Sequence, residues 1–219
     1  MRDSVHIGSE LSIYFGNTGR TKDYSLNTLY EQSGRRKYLI LNERTAFLAA
    51  ARTEVSETAT FCEVMAYTGA RISEVLALTA DRVDVVSGVI VFETLKRREK
   101  GVFRAVPVPQ EVIQRVAKVH KLGVQNHLKT DPAERLWPWC RTTGFKRIKR
   151  VMRKAGVEGP QASPKGLRHG FAVVGLQAGI PLNLVSRWLG HADLETTAIY
   201  ANAVGDEEKS IAQRFWRTF

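Results

Sequence analysis

The sequence predicts a mainly α-helical protein with one small antiparallel β-sheet or hairpin. Three observations predict it. From Tyr38 onward apolar residues recur at helical spacing between capping residues. The stretch from Val83 to Pro109 switches to β-branched and aromatic residues, and the helical period then resumes towards the C-terminus. The length of 219 residues, with 43% hydrophobic and 25% charged, suits one large or two small domains with a well-buried core.

Residues 1–38 carry Gly8, Gly16, Gly19 and Gly34 among polar residues without lasting periodicity, and read as a loosely ordered arm ahead of a domain spanning 39–219. Asn42 is positioned as an N-cap before Ala46, Phe47 and Leu48. Ser56 precedes a second helix through Phe61, Val64 and Met65, with Gly69 as its stop. A short third helix follows from Arg71, with apolar residues at Ile72, Val75 and Leu76. Gly88 to Leu95 and Val102 to Val108 then flank the charged turn Lys96 to Gly101, giving a hairpin with a basic tip. A helix is predicted over Glu111 to Lys121, and after the Trp137-Pro138-Trp139 loop another over Thr143 to Ala155. In the latter, Phe145, Ile148, Val151, Met152 and Ala155 line one face. Three short helices (Gly166 to Ala178, Pro181 to Leu189, Leu194 to Ala201) and a last one over 206–216 complete the chain.

Composition narrows the classes of function. No apolar run approaches the roughly 18 residues of a membrane span, and Met1 to Glu10 lack the apolar stretch of a secretory signal, so a cytoplasmic protein without a membrane partner is expected. Cys62 and Cys140 form no C-x-x-C pair, which supports neither a disulfide framework nor a thiolate metal cluster; Cys62 reads as a small core residue. Against 22 Asp and Glu stand 33 Lys and Arg, a net charge of +11 that points to a polyanionic partner, with nucleic acid foremost. The charge is concentrated. Residues 141–154 hold Arg141, Lys146, Arg147, Lys149, Arg150, Arg153 and Lys154 with no acid, so the i,i+4 pairing of an ordinary exposed helix is absent and phosphate contact becomes the favoured reading.

Metal-independent phosphodiester transfer needs a nucleophile, a proton donor for the leaving oxygen, and fixed positive charge on the non-bridging oxygens. Arginine suits the last task, because its planar guanidinium stays protonated and matches phosphate oxygens two at a time. Candidates occur in four places: Gly69-Ala-Arg71-Ile-Ser-Glu74, Lys96, Lys165-Gly-Leu-Arg168-His169, and Leu189-Gly-His191 followed by Tyr200. Singly, each has an ordinary reading. Arg71 and Glu74 fit a surface pair, and Lys96 a solvated turn. Arg168 fits a side chain snorkelling from the edge of a stripe of Leu167, Phe171, Val174 and Ala178. His169 and Tyr200 fit packed structural residues.

As an ordered set they resemble the catalytic domain of the tyrosine recombinase (phage integrase) family. The resemblance rests on Gly69-Ala-Arg71-Ile-Ser-Glu74-Val-Leu, Gly166-Leu-Arg168-His169-Gly-Phe-Ala, and Trp188-Leu-Gly-His191-Ala-Asp-Leu-Glu-Thr-Thr197-Ala-Ile-Tyr200-Ala, and spans about Tyr38 to Ala203. It implies the DNA breaking-rejoining fold of that family and a phosphotyrosine mechanism without cofactor, ATP or metal. Tyr200 would attack the scissile phosphate, releasing a 5′ hydroxyl and leaving a 3′-phosphotyrosyl bond. Arg71 and Arg168 would clamp the non-bridging oxygens and His191 would add a hydrogen bond. Lys96, with Arg97, Arg98 and Lys100 crowding the same turn, would protonate the leaving oxygen; Glu74 and His169 would stand behind these groups. A second strand's 5′ hydroxyl would reverse the step.

The resemblance also implies double-stranded DNA as partner, a dimer on each site and a tetramer at synapsis, an accessory DNA-bending protein in some systems, and association with the nucleoid. DNA contacts are expected from Arg97, Arg98, Lys100, Lys146, Lys149, Arg150 and Arg153.

Two departures from the family pattern bear on mechanism. Most members carry a histidine where this chain has Lys165, and an ammonium is a poor proton acceptor at neutral pH, so Lys165 is expected to act as a cation and proton shuttle. Only about 38 residues precede the match, where typical members place a helical core-binding domain. The likeness is then nearest to short recombinases that invert fimbrial promoters, or the chain is a piece of a longer protein; either way weaker DNA affinity is expected. The segment 206–216, with Ile211, Ala212 and Phe215 on one face, packs either onto a neighbouring protomer, as in the family, or in cis. Alternative functions are a type IB-like topoisomerase, to which Lys165 lends support, and a non-cleaving DNA-binding accessory protein.

Overall fold

The computed structural model describes residues 29–94, 101–122 and 134–201, with Gln213, Trp216 and Arg217. The arm before Leu29, the hairpin tip at Lys96 to Lys100 and most of the 206–216 helix lie outside them. The described part is mainly α-helical with a three-stranded antiparallel sheet.

Helix α1 (Leu41–Ala51) begins one residue before Asn42, which is exposed within its first turn. The cap comes instead from Glu43, whose carboxylate accepts the backbone N–H of Ile40 at 3.1 Å, while its two oxygens also accept both terminal nitrogens of Arg36. That grip ties the chain before α1 to the domain. Leu29 and Tyr38 are buried there against Ala172, Val173, Val185 and Leu189, so the last ten residues of the expected arm belong to the packed structure.

Helix α2 (Ser56–Thr68) is buried on nearly every side and forms the centre of the fold. Its one buried carboxylate, Glu63, is held by Arg52 and Arg115. Cys62 is fully buried among apolar residues, as its sequence context suggests. Gly69 ends α2 in the left-handed conformation at φ +61°, and a Cβ there would lie 2.5 Å from the Phe171 ring. The chain turns at once into α3 (Ile72–Leu76).

The sheet comprises β1 (Val83–Asp84), β2 (Val89–Glu93) and β3 (Phe103–Pro107) in that order. The hairpin of β2 and β3 is the one the composition switch predicts, in a register that sets Phe92 opposite Arg104. The two-residue β1 is too short to show an alternation in sequence. Helix α4 (Gln110–His120) follows, and Trp137 then closes the main core, its indole N–H donating to the Glu57 carbonyl at 2.9 Å.

Helix α5 (Arg141–Lys154) buries Gly144, Ile148, Val151 and Met152. Phe145, expected on that face, is 40% exposed. The buried phase passes through Gly144, where α5 lies so close to α2 and α3 that an added Cβ would meet Phe61 at 3.2 Å. Helix α6 (Pro164–Gln177) is capped by Ser163, whose hydroxyl accepts the Gly166 N–H at 3.0 Å, with Pro164 in its first turn. Its expected stripe is corrected as well. Ala178 is exposed, while Arg168 and His169 point inward, because α6 is enclosed by α1, α2 and α7 rather than resting on one partner. Helices α7 (Leu182–Leu189) and α8 (Glu195–Ala198) complete the described fold and deliver Tyr200. Among the described residues no helix is long and apolar enough to cross a membrane.

Candidate active site

Three chain turns meet at the site: Gly69–Arg71, the start of α6, and Leu189–His191. Arg168 joins them. Its guanidinium is buried and donates to the Gly69 carbonyl through Nη1 and to the Leu189 carbonyl through Nη2, both at 2.8 Å. Burial, reinforced by Arg71, lowers its pKa to about 10, which leaves it charged at neutral pH. Arg168 therefore does not snorkel from an edge. The fold holds it as an interior cation.

Arg71 lies at the start of α3, where its backbone N–H and its Nη1 both donate to Glu74, each at 2.9 Å. Its side chain is 23% exposed, while that of Glu74 is fully buried. Burial opposes the charge on Glu74. The charge and hydrogen bond of Arg104 and the Arg71 backbone N–H outweigh that cost and hold the carboxyl below its ordinary range. The pair is thus one side of a buried Arg71–Glu74–Arg104 cluster rather than a surface ion pair.

Tyr200 is 2% exposed, and its hydroxyl lies 2.9 Å from Nδ1 of His169. The ring of His191 stacks on that of Tyr200 at a centroid distance of 6.3 Å and an interplanar angle of 11°. Burial raises the pKa of the phenol, against the pull of Arg168 and then Arg71. His191 Nδ1 is 2.7 Å from the buried Thr197 hydroxyl, so Nε2 is the ring nitrogen left for a ligand. Both histidines are pushed to a pKa of about 3. For His169 the causes are burial, then Lys165 and Arg168; for His191 they are burial, then Arg168 and Arg71. Each is therefore neutral at pH 7.

Arg71, Arg168, His191 and Tyr200, together with Glu74 and His169, thus come together. Lys165 is exposed on the first turn of α6, near enough to His169 to act on its charge. Lys96, Arg97, Arg98 and Lys100 lie outside the described residues. On α5, Lys146 and Arg153 are exposed. Arg150 pairs with Glu54 at 2.5 Å, Lys154 pairs with the same carboxylate at 3.4 Å, and Lys149 donates to the Ala162 carbonyl at 2.8 Å. The absent acid is thus supplied partly from the α1–α2 connection, which spacing within the helix does not reveal.

Two site residues were missed from sequence. Thr197 stands inside the quoted motif, but only the fold shows its hydroxyl on His191. Arg104 shares the strand parity of Val106 and Val108, both buried, and that parity is the signal that would have found it.

A cationic pocket around a buried tyrosine, built on this helical fold, defines the class. The chain belongs to the phage integrase family, whose model matches residues 37–206. It is 31% identical over 159 residues to the tyrosine recombinase XerD of Haemophilus ducreyi, covering 70% of this chain and 52% of that protein. With XerD of Pseudomonas putida the identity is 34% over 146 residues, covering 64% and 47%. The chain therefore spans about half the length of these relatives. Among solved structures, XerA recombinase superposes with a TM-score of 0.67 at 24% identity, over 81% of this chain and 64% of that one. The catalytic domain of bacteriophage HP1 integrase does so at 0.58 and 22%, over 80% and 93%. These two likenesses confirm the expected fold.

Proposed function

We propose that the chain is a site-specific DNA strand transferase that cuts and rejoins duplex DNA through a 3′-phosphotyrosyl intermediate. The observation that carries the reading is the contact of the Tyr200 phenol with His169 and the stacking of its ring on His191, in the field of the buried Arg168 and the partly exposed Arg71. Its relatives named as tyrosine recombinases, and a solved XerH recombinase described as bound to its palindromic difH substrate in a post-cleavage complex, support it.

In this reading Tyr200 Oη attacks the phosphorus and passes its proton to Nδ1 of the neutral His169, while the P–O5′ bond breaks. Arg71, Arg168 and His191 Nε2 meet the charge that gathers on the non-bridging oxygens. Lys96 gives the 5′ oxygen its proton, and Lys165 serves as a cation and proton shuttle at the mouth of the site. The partners are duplex DNA and further copies of the chain assembled on it, with a bending protein where the DNA path demands one, acting at the nucleoid. Lys146, Lys149, Arg150, Arg153 and the hairpin cations contact the backbone.

The experiment is a denaturing gel of wild type and Tyr200→Phe, incubated with metal chelator and a panel of nicked suicide duplexes from candidate attachment sites. A retarded, protease-sensitive band with wild type alone is expected. Salt-sensitive binding without a band from any duplex would favour a non-cleaving DNA-binding protein. In the same assay Lys165→Ala is expected to lose adduct; a full yield from it would end the role given to Lys165.

A further inference from the structure

Arg104 is the most heavily committed side chain near the site, and the mechanism above does not use it. It rises from β3 opposite Phe92, with its guanidinium carbon 5.3 Å from that ring's centroid, and its side chain is 4% exposed. Each donor points to a different part of the fold. Nη2 donates to Glu74 Oε2 at 2.6 Å, Nε to the Trp188 carbonyl at 2.8 Å, and Nη1 to the Thr94 hydroxyl at 3.1 Å. Thr94 stands at the root of the hairpin, its N–H bonded to the Val102 carbonyl. The guanidinium also fills the space beneath Gly190, where a Cβ would lie 2.9 Å from Nη1 and 3.0 Å from Cζ.

We infer that Arg104 is a positioning residue for strand transfer, setting the Arg71 clamp, the His191 turn and the hairpin root in one fixed relation. The inference rests on the strand-transfer reading above. Glu74 has two oxygens to share, and Arg104 takes part of the charge of Oε2. Arg71 is thereby left with one terminal nitrogen committed to Glu74 instead of a two-pronged pair, so the rest of its fork is free for phosphate. Through Trp188 and Gly190 the same guanidinium holds the backbone just before His191, and through Thr94 it holds the strand end that leads to Lys96. Lysine at 104 would keep the charge but, being a compact ammonium on a flexible stem, would lose the planar fork that reaches all three acceptors.

The test uses the full chain and the panel of nicked duplexes. For wild type, Arg104→Lys and Arg104→Gln it measures the single-turnover adduct rate at saturating protein, the Kd for the same duplex, and the melting temperature. A loss of order in the constellation is expected to lower the saturated rate about a hundredfold in Arg104→Gln. The loss in Arg104→Lys should be smaller, with Kd for both within about threefold of wild type. A merely structural role would lower the melting temperature and leave the saturated rate of the folded, bound protein unchanged, and that result overturns the inference. Arg104→Lys, which keeps a counter-charge for Glu74, decides the matter if the glutamine variant does not fold. Wild-type adduct with unaffected Arg104 variants sinks this inference alone, whereas no wild-type adduct on any duplex sinks the strand-transfer reading and this one with it.

Discussion

The hydroxyl of Tyr200 rests 2.9 Å from Nδ1 of His169, and both side chains are buried. His169 comes from α6 and Tyr200 from the turn after α8, and their contact makes the proton state of His169 part of the stability of the site. Its folded pKa is about 3, against an ordinary value near ~6.5.

That shift has a sign. The unfolded chain binds a proton at His169 more readily than the folded one, so the stabilisation is fully present above about pH 6.5 and is lost as pH falls towards 3. At pH 5 the loss from this residue is about 2 kcal/mol. Urea denaturation of wild type from pH 7 to pH 5 should show the decline. His169→Asn, which offers Tyr200 an amide that does not titrate, should roughly halve it, because His191 carries a like shift of its own, and an unchanged slope would place the titrating group elsewhere.

Replacing Glu74 removes the counter-charge of a buried guanidinium. Glu74→Gln should destabilise the protein by about 3–5 kcal/mol, the usual consequence of stranding one partner of a buried pair. A loss below about 1 kcal/mol in urea denaturation would mean that water reaches Arg104 once the carboxylate is gone.

At Gly69 a methyl group meets two obstacles, a left-handed φ and the Phe171 ring at 2.5 Å. Gly69→Ala should cost about 1–3 kcal/mol in stability. It should also reduce adduct formation, because the Gly69 carbonyl is one of the two that fix Arg168. Wild-type melting and wild-type adduct together would refute the close packing of this turn.

For DNA affinity the α5 cations divide by what they already touch. Lys146 and Arg153 are exposed, whereas Arg150 and Lys149 have protein partners. Glutamine at both Lys146 and Arg153 should flatten the salt dependence of binding by up to about two units of slope. Adding glutamine at Arg150 and Lys149 should change the slope less per residue while lowering stability. An unchanged slope in the first pair would return that helix face to solvent.

Much of this was legible beforehand because local rules and the fold agree. Gly69 stops α2, the hairpin lies between β-branched runs, and the motif residues sit in order along the chain. The misreadings share a cause. Asn42 reads as a cap because asparagine caps helices, yet Glu43 reaches back and does that work. Phe145 reads as inward because it is large and apolar, although the burial phase of α5 runs through Gly144, whose lack of a side chain is what lets the helices approach. Arg168, read singly, fits an edge because charge belongs there by default, and only the ordered motifs mark it as a phosphate clamp. Two backbone carbonyls and an enclosed helix bring it inside, and no spacing in the chain shows where those carbonyls will be. Arg104 escapes local reading for a related reason: strand parity turns it inward, but its partners lie 30 and 84 positions away.

The bonds of Arg168 to Gly69 and Leu189 have a consequence for descent. A side chain that ties two distant turns together serves the folded state as well as the chemistry around it. In a protein that lost cleavage by exchanging its tyrosine, this arginine would keep its bonds to both turns, so the arginine alone speaks for the architecture and not for a living enzyme. The exchangeable witness is Tyr200, whose hydroxyl can vanish into phenylalanine with little change in packing.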